Sequence, residues 1–182
     1  LRGFAARARK KAKKKKSKQP SGDLDAVSMT KYVSGLDVSA VSGQLALLEL
    51  NAPSLQLHRL SGLHTFPALT SLDLSDNALA SLSGAVFAEQ LKWLSMARNR
   101  LEGIDGVQAL KRLQVLNLSR NEISAGWGEL QACLGLQALD VAHNQLHWDE
   151  NQGELSRAVA VLRVLKRLRV LSLRGNPTCA QP

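Results

Sequence analysis

The sequence predicts an α/β repeat solenoid, and three observations predict it. A short apolar frame recurs six times from about residue 45, the residues after one copy are apolar at every third position, and the longest interval between copies has helical periodicity. The strongest copy reads Leu69-x-x-Leu72-x-Leu74-x-x-Asn77-x-Leu79. The same frame returns as Leu91, Leu94, Met96, Asn99, Leu101, then as Leu113, Leu116, Leu118, Asn121, Ile123, and again as Leu136, Leu139, Val141, Asn144, Leu146. A first, degenerate copy runs Leu45, Leu48, Leu50, Pro53, Leu55, with Pro where Asn is expected, and a last copy runs Leu168, Leu171, Leu173, Asn176. The second anchor then falls at 48, 72, 94, 116, 139 and 171, in steps of 24, 22, 22, 23 and 32.

Each residue type has a physical reason to stand where it does. In Leu-x-Leu the two leucines leave one face of a short strand, so they enter the core while the residue between them faces out. An Asn amide offers two donors and an acceptor, enough to satisfy backbone groups that leave the strand without ladder partners. One repeat cannot bury its own apolar edge, so neighbours must stack. Six short strands are expected near 47–51, 71–75, 93–97, 115–119, 138–142 and 170–174, all parallel, because each repeat crosses back before adding its strand.

These residues resemble the leucine-rich repeat family over roughly residues 45–177. The resemblance implies a right-handed horseshoe whose concave sheet binds a protein. After Asn99 the apolar residues are Leu101, Ile104, Val107, Leu110, Leu113 and Leu116, a period of three that suits a 3₁₀-like convex side. That spacing and the 22-residue length are similar to the intracellular, SDS22-like class of these repeats. Extracellular members usually close with paired cysteines after Asn-Pro; Asn176-Pro177-Thr178-Cys179 offers one. Cys133 stands where a core Ile or Leu would pack.

The 32-residue step contains Glu154 to Leu168, in which Leu155, Ala158, Val159, Leu162 and Leu165 recur at helical spacing, and Asn151-x-x-Glu154 resembles a capping box. One convex α-helix over 154–167 is expected, with Arg157, Arg163, Lys166 and Arg167 on its outer face. That face is either simply solvated or meets an acidic partner.

The ends of the chain differ from the body. Residues 1–18 hold ten bases and no acid, while the rest carries 14 bases against 15 acids, so the net charge of +9 belongs to the tail. Lys10, Lys11, Lys13, Lys14, Lys15, Lys16 and Lys18 are dense enough to repel one another, and Pro20-Ser21-Gly22 marks a boundary. The tail is either a solvated linker or an electrostatic contact with RNA, an anionic membrane or an acidic protein surface. Arg2, Gly3, Phe4 and Arg7 resemble the back half of an IQ motif, which implies a helix that binds a calmodulin-like light chain. The chain begins at Leu1 with no Met, so an upstream segment is expected. The expected domains are a basic tail at 1–19, a linker and N-terminal cap at 20–44, in which Val27, Met29, Tyr32, Val33, Leu36 and Val38 cover the first repeat, and the repeat domain at 45–182.

Little in the sequence points to catalysis. There is no Walker-type Gly-rich loop, no His-Glu-x-x-His and no Gly-x-Ser-x-Gly. His58, His64, His143 and His147 are scattered over different repeats without ligands at metal spacing, and two Cys with 45 residues between them make no disulfide framework. No apolar run reaches the roughly 18 residues that a membrane span needs. No cofactor and no metal are expected, and the expected setting is intracellular. The function expected is a non-enzymatic protein-interaction scaffold. Leucine-rich repeats joined to IQ motifs resemble a family of ciliary and flagellar scaffolds, so the resemblance implies a cytoplasmic or cytoskeletal setting such as the axoneme. The alternative is a ribonucleoprotein subunit whose lysines contact RNA, against which the neutral body counts.

The repeat register predicts the concave surface. One column reads Leu47, Ser71, Trp93, Val115, Ala138, Val170, and the next Glu49, Asp73, Ser95, Asn117, Asp140, Ser172. A third reads Asn51, Ser75, Ala97, Ser119, Ala142, Arg174, and a fourth includes Asp76, Arg98, Arg120 and His143. Trp93 beside Val115 is the expected anchor, flanked by Arg98 and Arg120, with Asp73 and Asp140 setting charge.

Overall fold

The computed structural model describes residues 23–24, 33–38, 45–60, 63–82, 89–147 and 154–177. The basic tail, the IQ-like residues, Val27, Met29, Tyr32, Asn151 and Cys179 lie outside the described residues, as do the expectations that rest on them. Among the described residues nine strands occur: β1 (Asp23–Leu24), β2 (Val33–Val38), β3 (Leu45–Asn51), β4 (Arg59–Leu60), β5 (Ser71–Asp73), β6 (Trp93–Ser95), β7 (Val115–Asn117), β8 (Ala138–Asp140) and β9 (Val170–Ser172). Seven of them form one sheet in the order β2-β3-β5-β6-β7-β8-β9. The six strands expected from the repeat frame are parallel throughout, in unbroken register from Leu50↔Leu72 to Leu139↔Leu171.

The N-terminal edge of the sheet is closed by β2, which pairs antiparallel with β3. An edge strand laid this way removes the row of unpaired N–H and C=O groups that β3 would otherwise present. Strand β1 pairs parallel with β4 in a separate two-stranded ribbon.

The first repeat departs from the expected frame. Leu50, not Leu48, pairs with Leu72, and Ala52 and Leu57 occupy the places of Leu74 and Leu79. Leu55, not Pro53, stands at the Asn position. Side chains alternate with a period of two, so a slip of two residues keeps the same face inward. The run Leu45-Ala-Leu-Leu-Glu-Leu50 therefore fits either frame by pattern alone. The corrected first step is 22 residues, like those that follow.

Opposite the sheet lie 3₁₀ turns at Leu63–Thr65, Val107–Ala109 and Trp127–Ala132, the tight convex crossings that the period of three predicts. The turn at Trp127–Ala132 stacks on Val107–Ala109 and receives helix α1 (Glu154–Val164) on its other side. It enters through Gly126, whose φ is +99°. A Cβ there would stand 2.9 Å from Ile104 Cγ1 and 3.2 Å from its backbone N, so both the conformation and the close approach require glycine.

Helix α1 ends at Val164, three residues short of the expected end. It buries Ala158 and Val161, and Leu165 is buried just past its end. Arg163 is exposed near its last turn, but Lys166 and Arg167 fall beyond it, on the approach to β9 rather than on the helix. The core is one continuous column of leucines, with Leu50, Leu72, Leu94, Leu116 and Leu139 at 0–1% exposure. Each fully buried Leu contributes about 2 kcal/mol of apolar transfer, so one missing anchor is felt by both neighbouring repeats. Cys133 belongs to this core, as expected.

Candidate functional site: the concave sheet and its rim

Directly after each strand the chain turns, and the residue that opens the turn fixes its hydrogen bonds. The side-chain Oδ1 atoms of Asp73, Asn117 and Asp140 accept the backbone N–H two residues on, at 2.9, 3.0 and 3.0 Å. These short Asx bonds end the strand. Ser75 and Ser95 share a 2.8 Å hydroxyl contact across neighbouring strands.

The next position is left-handed in every repeat. Ser54, Asp76, Arg98, Arg120 and His143 have φ between 55° and 58°, and Gly175 has φ 71°. Only glycine takes this conformation without cost; for the others it costs about 1 kcal/mol. The return is a ladder of backbone bonds between repeats, in which the N–H groups of Asp76, Arg98, Arg120 and His143 donate to Ala97, Ser119, Ala142 and Arg174.

The Asn that follows is the centre of the turn. Asn121 Nδ2 donates to the carbonyls of Met96 and Leu118 at 2.9 Å, and its Oδ1 accepts the Leu101 N–H at 3.1 Å. Asn99 and Asn144 repeat this arrangement one turn either side. Each amide thus stitches its own turn to the preceding repeat, which is the role the Asn spacing predicts. These three residues are 6–8% exposed. They are structural and leave nothing for a ligand.

What remains open to a partner is the sheet surface between the leucines. The register aligns Glu49, Ser71, Trp93, Val115, Ala138 and Val170 in one column. Glu49 therefore leads the Trp93 column, and Leu47, expected there, is buried in the core. The second column is Asn51, Asp73, Ser95, Asn117, Asp140 and Ser172. Within the first column Trp93, Val115 and Ala138 are half-buried, and Val170 is 60% exposed. An apolar line thus crosses four adjacent strands, about 14 Å at the usual strand spacing.

The left-handed column lies farther along the chain, past the Ser95 and Ala97 columns. Asp76, Arg98, Arg120 and His143 are exposed, and Arg98 Nη1 meets Asp76 Oδ1 at 3.4 Å. That pair is well solvated and worth only a fraction of a kcal/mol. Arg174 is exposed beyond β9, whereas Ser95 is buried and turned toward Ser75 rather than toward a partner. Sequence reasoning named this column but missed its left-handed backbone, because Asp, Arg and His carry no glycine-like signature. It also missed how far the apolar line reaches, although Val170 stands in the same frame as Trp93.

Cys133 is fully buried, and burial pushes its thiol up to about 11. Its Sγ donates to the Val107 carbonyl at 3.4 Å. A neutral, enclosed thiol of this kind is a packing group rather than a nucleophile. Among the described residues no group of three or more His, Cys, Asp or Glu is placed to hold a metal, and no helix is long and apolar enough to cross a membrane.

Stacked parallel strands, 3₁₀ crossings and an Asn ladder define a leucine-rich repeat solenoid. The Leucine rich repeat family model matches residues 67–123 and again 89–146, so the central repeats are leucine-rich repeats. No curated protein sequence matches the chain. Among solved structures, an internalin (inlF) from Listeria monocytogenes is 24% identical with a TM-score of 0.56, over 71% of this chain and 42% of its own. An internalin C2 from the same species is 22% identical with a TM-score of 0.61, over 70% and 51%. The leucine-rich repeat ectodomain of the Arabidopsis thaliana receptor kinase SOBIR1 is 27% identical with a TM-score of 0.56, over 78% of each chain. The chain spans about half or less of the two internalins.

Proposed function

We propose that this protein is a non-enzymatic interaction scaffold that holds a protein partner on its concave sheet. The observation that carries the reading is the apolar line from Trp93 through Val115 and Ala138 to Val170, with Arg98, Arg120 and His143 exposed past the ends of the same strands. Apolar side chains on a polar sheet are costly to leave wet, and Trp and Arg are enriched where binding energy concentrates. Asp73 and Asp140 add negative charge one column away. A photo-cross-linking residue at Val115 or Val170, compared with one at Gln131 in the convex 3₁₀ turn, tests this directly. A partner joined from both concave positions and not from Gln131 is expected; cross-links only from Gln131 overturn it.

The finer reading sets the scaffold in an intracellular, cytoskeletal assembly such as a cilium, with a calmodulin-like light chain on the N-terminal segment. Support comes from the spacing of Arg2, Gly3 and Arg7 alone. Calmodulin titrated into the chain should bind, and binding should vanish for Arg2→Ala/Arg7→Ala. Unchanged calmodulin affinity in that variant removes the light chain from the account.

A further inference from the structure

A second surface lies along the other end of the strands. A backbone ladder fixes its register: the N–H groups of Lys92, Gln114, Gln137 and Arg169 donate to Thr70, Lys92, Gln114 and Gln137 at 2.7–2.8 Å. All four side chains of this ladder are exposed. Immediately before it, the repeats place Lys111-Arg112, Leu134-Gly135 and Lys166-Arg167 in matching positions. Two adjoining depressions of about 410 and 330 Å³ result, sharing Arg167, and among the described residues no carboxylate lines either.

Gly135 makes the larger depression possible. It stands in register between Arg112 and Arg167, and a Cβ on it would already lie 3.2 Å from the Leu113 carbonyl. With no side chain at that step, the two guanidinium groups border an open floor. Gln90 Oε1 accepts from Arg112 Nη1, which orients one wall. At the lip sits Leu134, 57% exposed and surrounded by bases.

We infer that this basic edge docks an acidic protein segment that carries an aliphatic side chain among its carboxylates. Paired arginines either side of an open floor suit carboxylates, which they can grip through two N–H groups each. Leu134 supplies the apolar contact that phosphate oxygens cannot repay. Among the described residues no aromatic side chain lines either depression, so a nucleic acid would lack a stacking platform there. The chain's own Lys-rich tail has the wrong sign to fill the site. The surface is separate from the concave column, so it stands whether or not the concave reading holds.

The test uses the full chain with its tail bases (Arg2, Arg7, Arg9, Lys10, Lys11, Lys13, Lys14, Lys15, Lys16 and Lys18) changed to Gln, so that the tail contributes no charged side chain. Three fluorescein-labelled probes are titrated at low salt: Glu-Asp-Leu-Glu-Asp-Gly, the same peptide with Ser for Leu, and a ten-residue oligothymidylate. The leucine peptide should bind best, weaken as salt rises, and lose at least tenfold in Arg112→Glu/Arg167→Glu. Leu134→Ser should cost roughly threefold for the leucine peptide and nothing for the serine peptide. Should the charge reversal fail to fold, Arg112→Gln/Arg167→Gln should still weaken binding several-fold. Equal binding by these variants overturns the proposal. So does tighter binding of the oligothymidylate that ignores Leu134→Ser, which would make the edge a nucleic-acid contact.

Discussion

The two ends of the same strands use their polar residues in opposite ways. At the C-terminal ends Asp73, Asn117, Asp140 and the buried Asn series are each bonded to backbone within the turn or the preceding repeat. At the N-terminal ends Lys92, Lys111, Lys166, Arg167 and Arg169 are exposed, and among the described residues none forms an ion pair. The difference lies in what the backbone needs. Leaving the strand strands several N–H and C=O groups, which buried side chains must satisfy. Both ends carry backbone bonds between repeats, but the exit turn also holds inward-facing carbonyls and N–H groups that the buried Asn amides satisfy. Buried side chains bonded to backbone hold the stack; exposed ones without backbone bonds, Arg98 and Arg112 among them, stay available to a partner.

The sharpest way to break this comparison is to cut one Asn. Asn121→Ala should cost about 4 kcal/mol in urea unfolding, since it orphans the Leu101 N–H in a dry turn and takes from the Met96 and Leu118 carbonyls one of their two amide donors, leaving them Asn99 and Asn144. Lys111→Ala at the other end should change stability by less than about 0.5 kcal/mol. A cost near 1 kcal/mol at Asn121 would mean that water replaces the amide.

A smaller effect follows from Cys133. Its thiol titrates near 11 in the fold against 9.0 ordinarily, so between those values the unfolded chain releases a proton that the folded chain keeps. Stability from this group is full below pH 9 and falls as pH rises toward 11, by about 3 kcal/mol at most. The pH dependence of unfolding in Cys133→Ser, whose hydroxyl stays neutral, should lack that fall. Parallel curves for the two proteins would remove the thiol from the pH response.

The smallest effect belongs to the exposed rim. Asp76→Asn removes the partner of Arg98 and should shift stability by less than about 0.5 kcal/mol, with even that shift fading at high salt. A larger, salt-resistant loss would mean that the rim column is structural rather than available.

Much of the fold was legible because the repeat states each requirement several times. The strands from Ser71 onward, the 3₁₀ crossings, the core place of Cys133 and the work of Asn99, Asn121 and Asn144 all followed from residue type and spacing. The first repeat was not legible, because Leu48 and Leu50 lie on the same face and pattern cannot separate them. The cap was only half legible: the apolar residues before 44 suggested cover, but not that Val33–Val38 would add an antiparallel edge strand. The basic edge did leave a signal, in the string Leu-Lys-Arg-Leu at both 110–113 and 165–168. Reading the second copy as helix hid it. Helix α1 ends at Val164 and delivers Lys166 and Arg167 to the strand edge. The concave columns were readable as positions, whereas the left-handed backbone beneath Asp76, Arg98, Arg120 and His143 was not.

The most direct measurement of the central claim pairs stability with binding for Trp93→Ala, using the partner captured from Val115 or Val170. The account predicts that unfolding changes by no more than about 1 kcal/mol, because the ring is half-buried on the sheet surface rather than in the core. Partner affinity should fall by about 2 kcal/mol, roughly 30-fold. A domain that unfolds, or a partner that binds Trp93→Ala as tightly as the unaltered protein, would contradict it.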